Sequence, residues 1–173
     1  MLQKENTISY LGADFSYHHL AAMHYFEDAQ CISAKSFDTI ISNVQDSVSE
    51  FGVIAIDNTL AGAVTGNLER VIKSGLTIYG EIYLQINFHL AAIKKMEVNE
   101  LMEIYSHHMA IKETHDFFSG YQHLKFIETV STAGAVKKVA EEKLLHAGAI
   151  GNSRAIEHYG MHIIAYNIDN HPD

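Results

Sequence analysis

Apolar and polar positions alternate along this chain in two rhythms, one of short β-rich runs and one of helical spacing. The most pronounced run is Phe51-Gly-Val-Ile-Ala-Ile-Asp-Asn-Thr-Leu-Ala-Gly62. Its apolar part, Val53 to Ile56, reads as a buried strand covered on both faces. It delivers Asp57, Asn58 and Thr59 into a loop that runs on to Gly62. In open α/β sheets ligands bind where such strands end, so these three polar residues are the first place to look for chemistry. Read blandly, they are ordinary turn residues.

The other elements follow in order. Thr7–Leu11 reads as a first strand, closed by Gly12, and Asp14 or Ser16 can cap a helix carrying Leu20, Ala21, Met23 and Phe26 on its apolar side. Gln30 to Ile32 is a short strand, and a helix from Phe37 carries Ile40, Ile41, Val44 and Val48 at helical spacing. A helix is predicted from Asn67 to Lys73, stopped by Gly75. A long extended segment, Leu76 to Ala92, then alternates in part and reads as a strand crossing between regions. Further strands are predicted at Ile104-Tyr105, Lys125 to Thr129, Ala147 to Ile150 and His162 to Asn167. Helices are predicted at Val98 to Met102, His108 to Phe118, Thr132 to Leu145 and Ser153 to Tyr159, the last stopped by Gly160. Alternation of strand and helix argues an α/β fold with mostly parallel sheets. The crossing segment argues two lobes, about 1–80 and 85–165, and a cleft between two such lobes is a common ligand-binding architecture.

Composition narrows the function classes. A length of 173 residues with 47% apolar and 19% charged residues is that of a soluble globular protein with a real core. The formal charge of −9, with 12 scattered basic residues, argues against a nucleic-acid partner. The single cysteine, Cys31, excludes an internal disulfide and fits a reducing compartment. Residues 1–7 have no apolar core, and no run is long enough to span a bilayer, so a cytoplasmic protein with no membrane partner is expected. The 12 histidines include the adjacent pairs His18-His19 and His107-His108, but no Cys-x-x-Cys or His-Glu-x-x-His pattern supports a metal. Neither a phosphate-binding Lys loop, a dinucleotide fingerprint nor a Gly-x-Ser-x-Gly elbow is present.

Two further places set small polar residues between a strand and a helix: Tyr105-Ser106-His107-His108-Met109-Ala110 and Thr129-Val130-Ser131-Thr132-Ala133. A helix N-terminus offers unpaired N–H groups there, beside a hydroxyl, to a carboxylate or phosphate. Plain N-capping accounts for the same residues.

Taken in order, these motifs resemble the prephenate dehydratase family. Its Gly-Pro-x-Gly-Ser-Tyr/Phe-Ser loop is similar to the stretch from Gly12 to His18, and its Pro-x-Glu-Asn-Ser/Thr-x-x-Gly loop to Ala55 through Gly62. Gly80-Glu81 and His89-Leu90 match its crossing strand, and the stretch from Tyr105 to Ala110 matches Tyr-Ser-His-Pro-x-Ala. Ser131-Thr132-Ala133-Gly134-Ala135 matches Ser-Thr-Ala-x-Ala. The segment from Ala149-Ile150 through Ala155 to Tyr159-Gly160 matches the family's last segment.

The resemblance implies a two-lobed fold of the type 2 periplasmic-binding-protein kind with a substrate cleft between the lobes, and a return toward lobe one over 166–173. It implies a lyase that converts prephenate to phenylpyruvate in L-phenylalanine biosynthesis, without a cofactor or metal, in a homodimer or homotetramer. Asp57, Asn58 and Thr59 would be catalytic. Ser16, Gly62, Ser106, His107, Met109, Ala110, Ser131 and Thr132 would bind the dicarboxylate substrate. The chain departs from the pattern at Ala13, Ala55 and His108, where the family has proline, and at Asp57, where it has glutamate. The family's Thr-Arg-Phe motif, with its general-acid threonine, and its regulatory ACT domain would both follow Asp173. The 173 residues alone are therefore expected to show little dehydratase activity. A two-lobed small-carboxylate binding or sensor domain that has lost catalysis is the alternative.

Overall fold

The structure is a computed structural model that describes residues 6–26, 28–59 and 62–170. The chain divides into two compact units, Met1–Leu84 and Gln85–Asp173.

The first unit is built on a three-stranded parallel sheet. Strand β1 (Thr7–Leu11) is central, with β2 (Gln30–Ala34) and β3 (Phe51–Gly52) on either side. The crossovers are helices α1 (Tyr17–Tyr25) and α2 (Phe37–Gln45). Each starts where a serine accepts from a backbone N–H three residues on: Ser16 from His19 and Ser36 from Thr39. The buried face of α1 is Ala21 and Ala22; Met23, predicted to face the core, is half exposed. Val48 lies beyond the end of α2 and is also exposed.

The run Val53–Ile56 is not the doubly covered strand its composition predicts. The ladder with β1 is confined to Phe51 and Gly52, with one further bond from Val53 N–H to the Ser9 carbonyl. Val53 to Ala55 are half-buried and Ile56 is exposed. The physical reason is position: β3 lies at the edge of a small sheet, so the run has one neighbour and leaves it early. The chain then forms a two-residue hairpin, β4 (Asp57–Asn58) against β5 (Gly62–Ala63), and enters α3 (Asn67–Ser74). Residues 60 and 61 lie outside the described residues. Gly66 and Gly75, both with left-handed φ, bracket α3.

The second unit carries a five-stranded mixed sheet in the order β10-β6-β9-β7-β8. These strands are β6 (His89–Ala92), β7 (Glu103–Ser106), β8 (Lys125–Glu128), β9 (Ala147–Gly151) and β10 (His162–Ala165). Strand β7 runs parallel to β8 and β9, whereas β6 is antiparallel to β9 and β10, so the expectation of mostly parallel sheets holds only in part. Every residue of β6 and β9 is buried. Of the long strand predicted from Leu76 to Ala92, only His89–Ala92 is in a ladder; alternation made the segment extended, but a strand also needs a paired neighbour.

The helices of this unit are α4 (His108–Glu113), α5 (His115–Phe118), α6 (Thr132–Glu141) and α7 (Ser153–His158). The single helix predicted over 108–118 breaks at Thr114, which is fully buried and donates its hydroxyl to the Ala110 carbonyl at 2.8 Å. The helix predicted at Val98 to Met102 is one 3-10 turn, Val98–Glu100, closed by a Glu97/Glu100 capping box. The return toward the first lobe is expected over 166–173, of which 171–173 lie outside the described residues; residues 168–170 bond to the second unit. Ile168 N–H donates to the Phe88 carbonyl, Phe88 N–H to the Asp169 carboxylate, and Asn170 N–H to the Glu113 carbonyl.

Candidate functional site

The polar residues singled out from the sequence fall into one group in each unit. In the first unit, Asp57 and Asn58 lie on the outgoing strand of the hairpin, opposite Ala63 and Gly62, and Thr59 begins its turn. Asp57 and Thr59 are exposed and Asn58 is half-buried. Gly62 has φ of 78°, a left-handed conformation that glycine adopts without strain, and a Cβ there would meet none of the described residues within 4 Å. Among the described residues two facing pairs make the ladder, with one more bond at its base from Val64 N–H to the Ile56 carbonyl, 2.8 Å.

Ser16 follows β1, and the hairpin follows β1's parallel neighbour β3, so both leave the same edge of the three-stranded sheet. The Ser16 hydroxyl caps α1 and donates to the Leu11 carbonyl at 3.1 Å, and the residue is buried. Beside it, Tyr10 donates to Asp14, and the His19 ring stacks on Tyr10 at 4.5 Å. Burial and the adjacent Asp14 carboxylate both push the Tyr10 phenol well above its ordinary value. His19 Nδ1 accepts from the Phe15 N–H at 2.8 Å, and burial lowers its pKa, so the neutral ring is the form that fits.

In the second unit the two remaining clusters do come together. Strands β7 and β8 are parallel and in register, Ser106 facing Glu128, so the loops after them leave the same edge of the sheet. Thr129 N–H donates to the Ser106 carbonyl at 2.8 Å, joining the two loops at their roots. Ser106 is fully buried, and its hydroxyl donates to the Ile150 carbonyl of β9 at 3.0 Å. That hydroxyl is thus a rung between strands. His107 caps α4: its Nδ1 accepts from the Met109 N–H at 3.3 Å. Burial and the neighbouring His108 hold His107 below the ordinary imidazole range, against the opposing charge of Glu128. Met109 is half-buried and Ala110 buried, both in the first turn of α4.

Ser131 caps α6 by accepting from the Gly134 N–H at 3.0 Å, and Thr132 starts that helix with its side chain buried. Helix α7 begins at the same edge, after β9, capped by Asn152 through a 2.9 Å bond from the Ala155 N–H. Sequence reasoning passed over Asn152, although an asparagine directly before an apolar helix is a cap signal. It also passed over Asn67, which is fully buried beneath the Asp57 hairpin and bonded to the Ala55 carbonyl. Among the described residues no group of three or more His, Cys, Asp and Glu could hold a metal ion. Among them, too, no helix is long and apolar enough to cross a membrane.

The profile of the prephenate dehydratase family matches residues 8–173. The bifunctional chorismate mutase/prephenate dehydratase of Buchnera aphidicola subsp. Acyrthosiphon pisum is 32% identical over 166 residues. That alignment takes in 94% of this chain and 43% of the relative, so the chain spans less than half of that relative's length. Among solved structures, the Arthrobacter aurescens prephenate dehydratase in complex with L-Phe aligns with a TM-score of 0.86 at 22% identity, covering 96% of this chain and 57% of that one. GqqA, described as a novel type of quorum quenching acylase, aligns with a TM-score of 0.83 at 24% identity, over 95% of this chain and 60% of its own. At such identities the two structures speak to the fold alone.

Proposed function

This chain belongs to the prephenate dehydratase family, and from that premise we propose that it is a carbon–oxygen lyase converting prephenate to phenylpyruvate in phenylalanine synthesis. In this reaction the ring carboxylate leaves as carbon dioxide. Its bonding electrons complete the aromatic ring as the ring hydroxyl departs, protonated, as water. Aromatisation supplies the driving force, so the protein's work is to hold two carboxylates and to protonate a leaving hydroxide. The observation that carries the reading is the family match across nearly the whole chain, with its polar loops at strand ends.

In this reading Asp57, Asn58 and Thr59 face the ring, and Ser16 and Gly62 shape the same side. The edge at Ser106, His107, Met109, Ala110, Ser131 and Thr132 receives a carboxylate. Helix α6, with ten residues, offers the stronger of the two helix ends, since first-turn N–H groups have no intrahelical partner. The same proposal takes the two units as the lobes of a type 2 periplasmic-binding-protein fold, and the protein as a homodimer or homotetramer that needs no cofactor. One residue favours a second reading, a binding or sensor domain without catalysis: Asp57 is one methylene shorter than the family's glutamate, and reacting groups tolerate little displacement. Following phenylpyruvate release from prephenate by the full-length protein decides between them. Steady turnover is the expected result; saturable prephenate binding without turnover would leave the sensor reading standing.

A further inference from the structure

Among the described residues two facing pairs hold the hairpin that presents Asp57–Thr59, and one residue bonds to both sides of its base. Asn67 sits at the first position of α3, fully buried. Its backbone N–H donates to the Val64 carbonyl at 3.1 Å, one residue past the returning strand β5. Its side-chain Nδ2 donates to the Ala55 carbonyl at 2.8 Å, on the segment that enters the hairpin, two residues before Asp57. One residue therefore grips both stems.

The grip is itself oriented. Asn67 Oδ1 accepts from Arg70 Nη1 at 3.0 Å, and Arg70 Nε donates to Asp38 Oδ1 of α2 at 3.1 Å. The guanidinium can only donate, so it fixes which end of the Asn67 amide faces it and turns the NH₂ toward Ala55. The line runs Asp38, Arg70, Asn67, Ala55, and it ties the hairpin to two helices of the same unit. A buried amide with both of its ends engaged specifies position more sharply than an apolar residue of equal size.

We propose that Asn67 is a positioning residue for the Asp57–Thr59 hairpin: through the Ala55 carbonyl it fixes where those residues point. This rests on the reading of the hairpin as catalytic, and the test separates the two. In the full-length protein, Asn67→Asp keeps an acceptor for Arg70 but cannot donate to Ala55, so the rest of the unit is left in place. Amide exchange at the Val64 N–H, which closes the hairpin base, is expected to speed up tenfold or more. The kcat for prephenate is expected to fall by a similar factor, with KM within about twofold, since misplaced reacting groups cost turnover rather than binding. Asn67→Ala, which removes both side-chain bonds and keeps the backbone bond to Val64, should do the same if the Asp variant folds poorly.

Unchanged exchange at Val64 in both variants overturns the proposal. So does faster exchange with unchanged kcat while Asp57→Ala abolishes turnover, since the hairpin would then be catalytic without needing the grip. If neither the Asn67 variants nor Asp57→Ala affects turnover, the hairpin is not the catalytic site, and the positioning role falls with that reading.

Discussion

Ser106 ends a strand that has β8 on one side and β9 on the other, whereas Asp57 and Asn58 sit on a ladder of two facing pairs. Around Ser106 the sheet supplies the rigidity. The strands are buried, the serine's own hydroxyl becomes a rung to Ile150, and Thr129 is joined to it through the backbone. At Asp57 the sheet has already been left behind, and rigidity comes from Asn67 of α3, which Arg70 orients and Asp38 of α2 holds through Arg70. Two ways of holding polar loops differ in what breaks them. The first fails when the core of the unit fails. The second can loosen while its unit stays folded.

The largest expected effect tests the first half of that contrast. Leu90 on β6 is fully buried, and Leu90→Ala removes its contacts and leaves a cavity. It should cost about 2–5 kcal/mol in urea unfolding, and the β7 and β8 loops should loosen with it. Next in size is Gly151→Val, at the end of β9. A Cβ built there would lie 2.5 Å from Val136 Cγ2 of α6, so helix and strand must part, at a cost of about 1–3 kcal/mol. A third change is more selective. Ser106→Ala deletes the rung and leaves the Ile150 carbonyl short of a donor, with an expected cost of about 1–2 kcal/mol. If Ser106 is mainly such a rung, prephenate binding should change little at a temperature where the variant remains folded.

The histidines sharpen the contrast through pH. His107 caps α4 as an acceptor, which requires the neutral ring, and its pKa in the folded chain is lowered by burial and by His108. The unfolded chain, with histidine near ~6.5, then binds the proton more readily than the folded one. The sign follows: this contribution is present above about pH 6.5 and is lost as pH falls below it, until the folded-state pKa is reached. His18, His19 and His89 are shifted in the same direction, all with burial as the leading cause. Unfolding midpoints at pH 7.5 and 5.5 should therefore differ, the lower pH being less stable. His107→Asn, which keeps an accepting cap, should retain the stability at pH 7.5 and reduce the difference.

How much of this could be read from the sequence depends on the region. In the second unit, helix starts at Thr132 and Ser153 and strands at Lys125, Ala147 and His162 stand where periodicity and caps set them. There the local pattern and the sheet agree. What the pattern hid was commitment: nothing in Tyr105-Ser106-His107 tells that the serine hydroxyl is spent on β9, because the partner is 44 residues away. In the first unit the run at Val53–Ile56 misled, since apolar content records a tendency to be buried and not how many strands will flank it. Asn67 read as the start of a helix, and its bond back to Ala55 across 12 residues is tertiary and leaves no periodic trace.

The smallest expected effect is the sharpest check on that misreading. If Val53–Ile56 were a doubly covered strand, Ile56→Thr would place a hydroxyl in the core and cost several times more than a surface change. Ile56 is instead exposed, with 40% of its surface open to solvent, just past the last bond to β1. The substitution keeps the β-branch that suits an extended backbone, and the Ile56 carbonyl still accepts from Val64. Its expected cost is within about 0.5 kcal/mol, the range of ordinary surface changes. Urea unfolding of Ile56→Thr beside Leu90→Ala measures both extremes in one experiment. A loss at Ile56 of 2 kcal/mol or more would mean that the run is core after all, and that the Asp57 hairpin is held by the sheet rather than by Asn67.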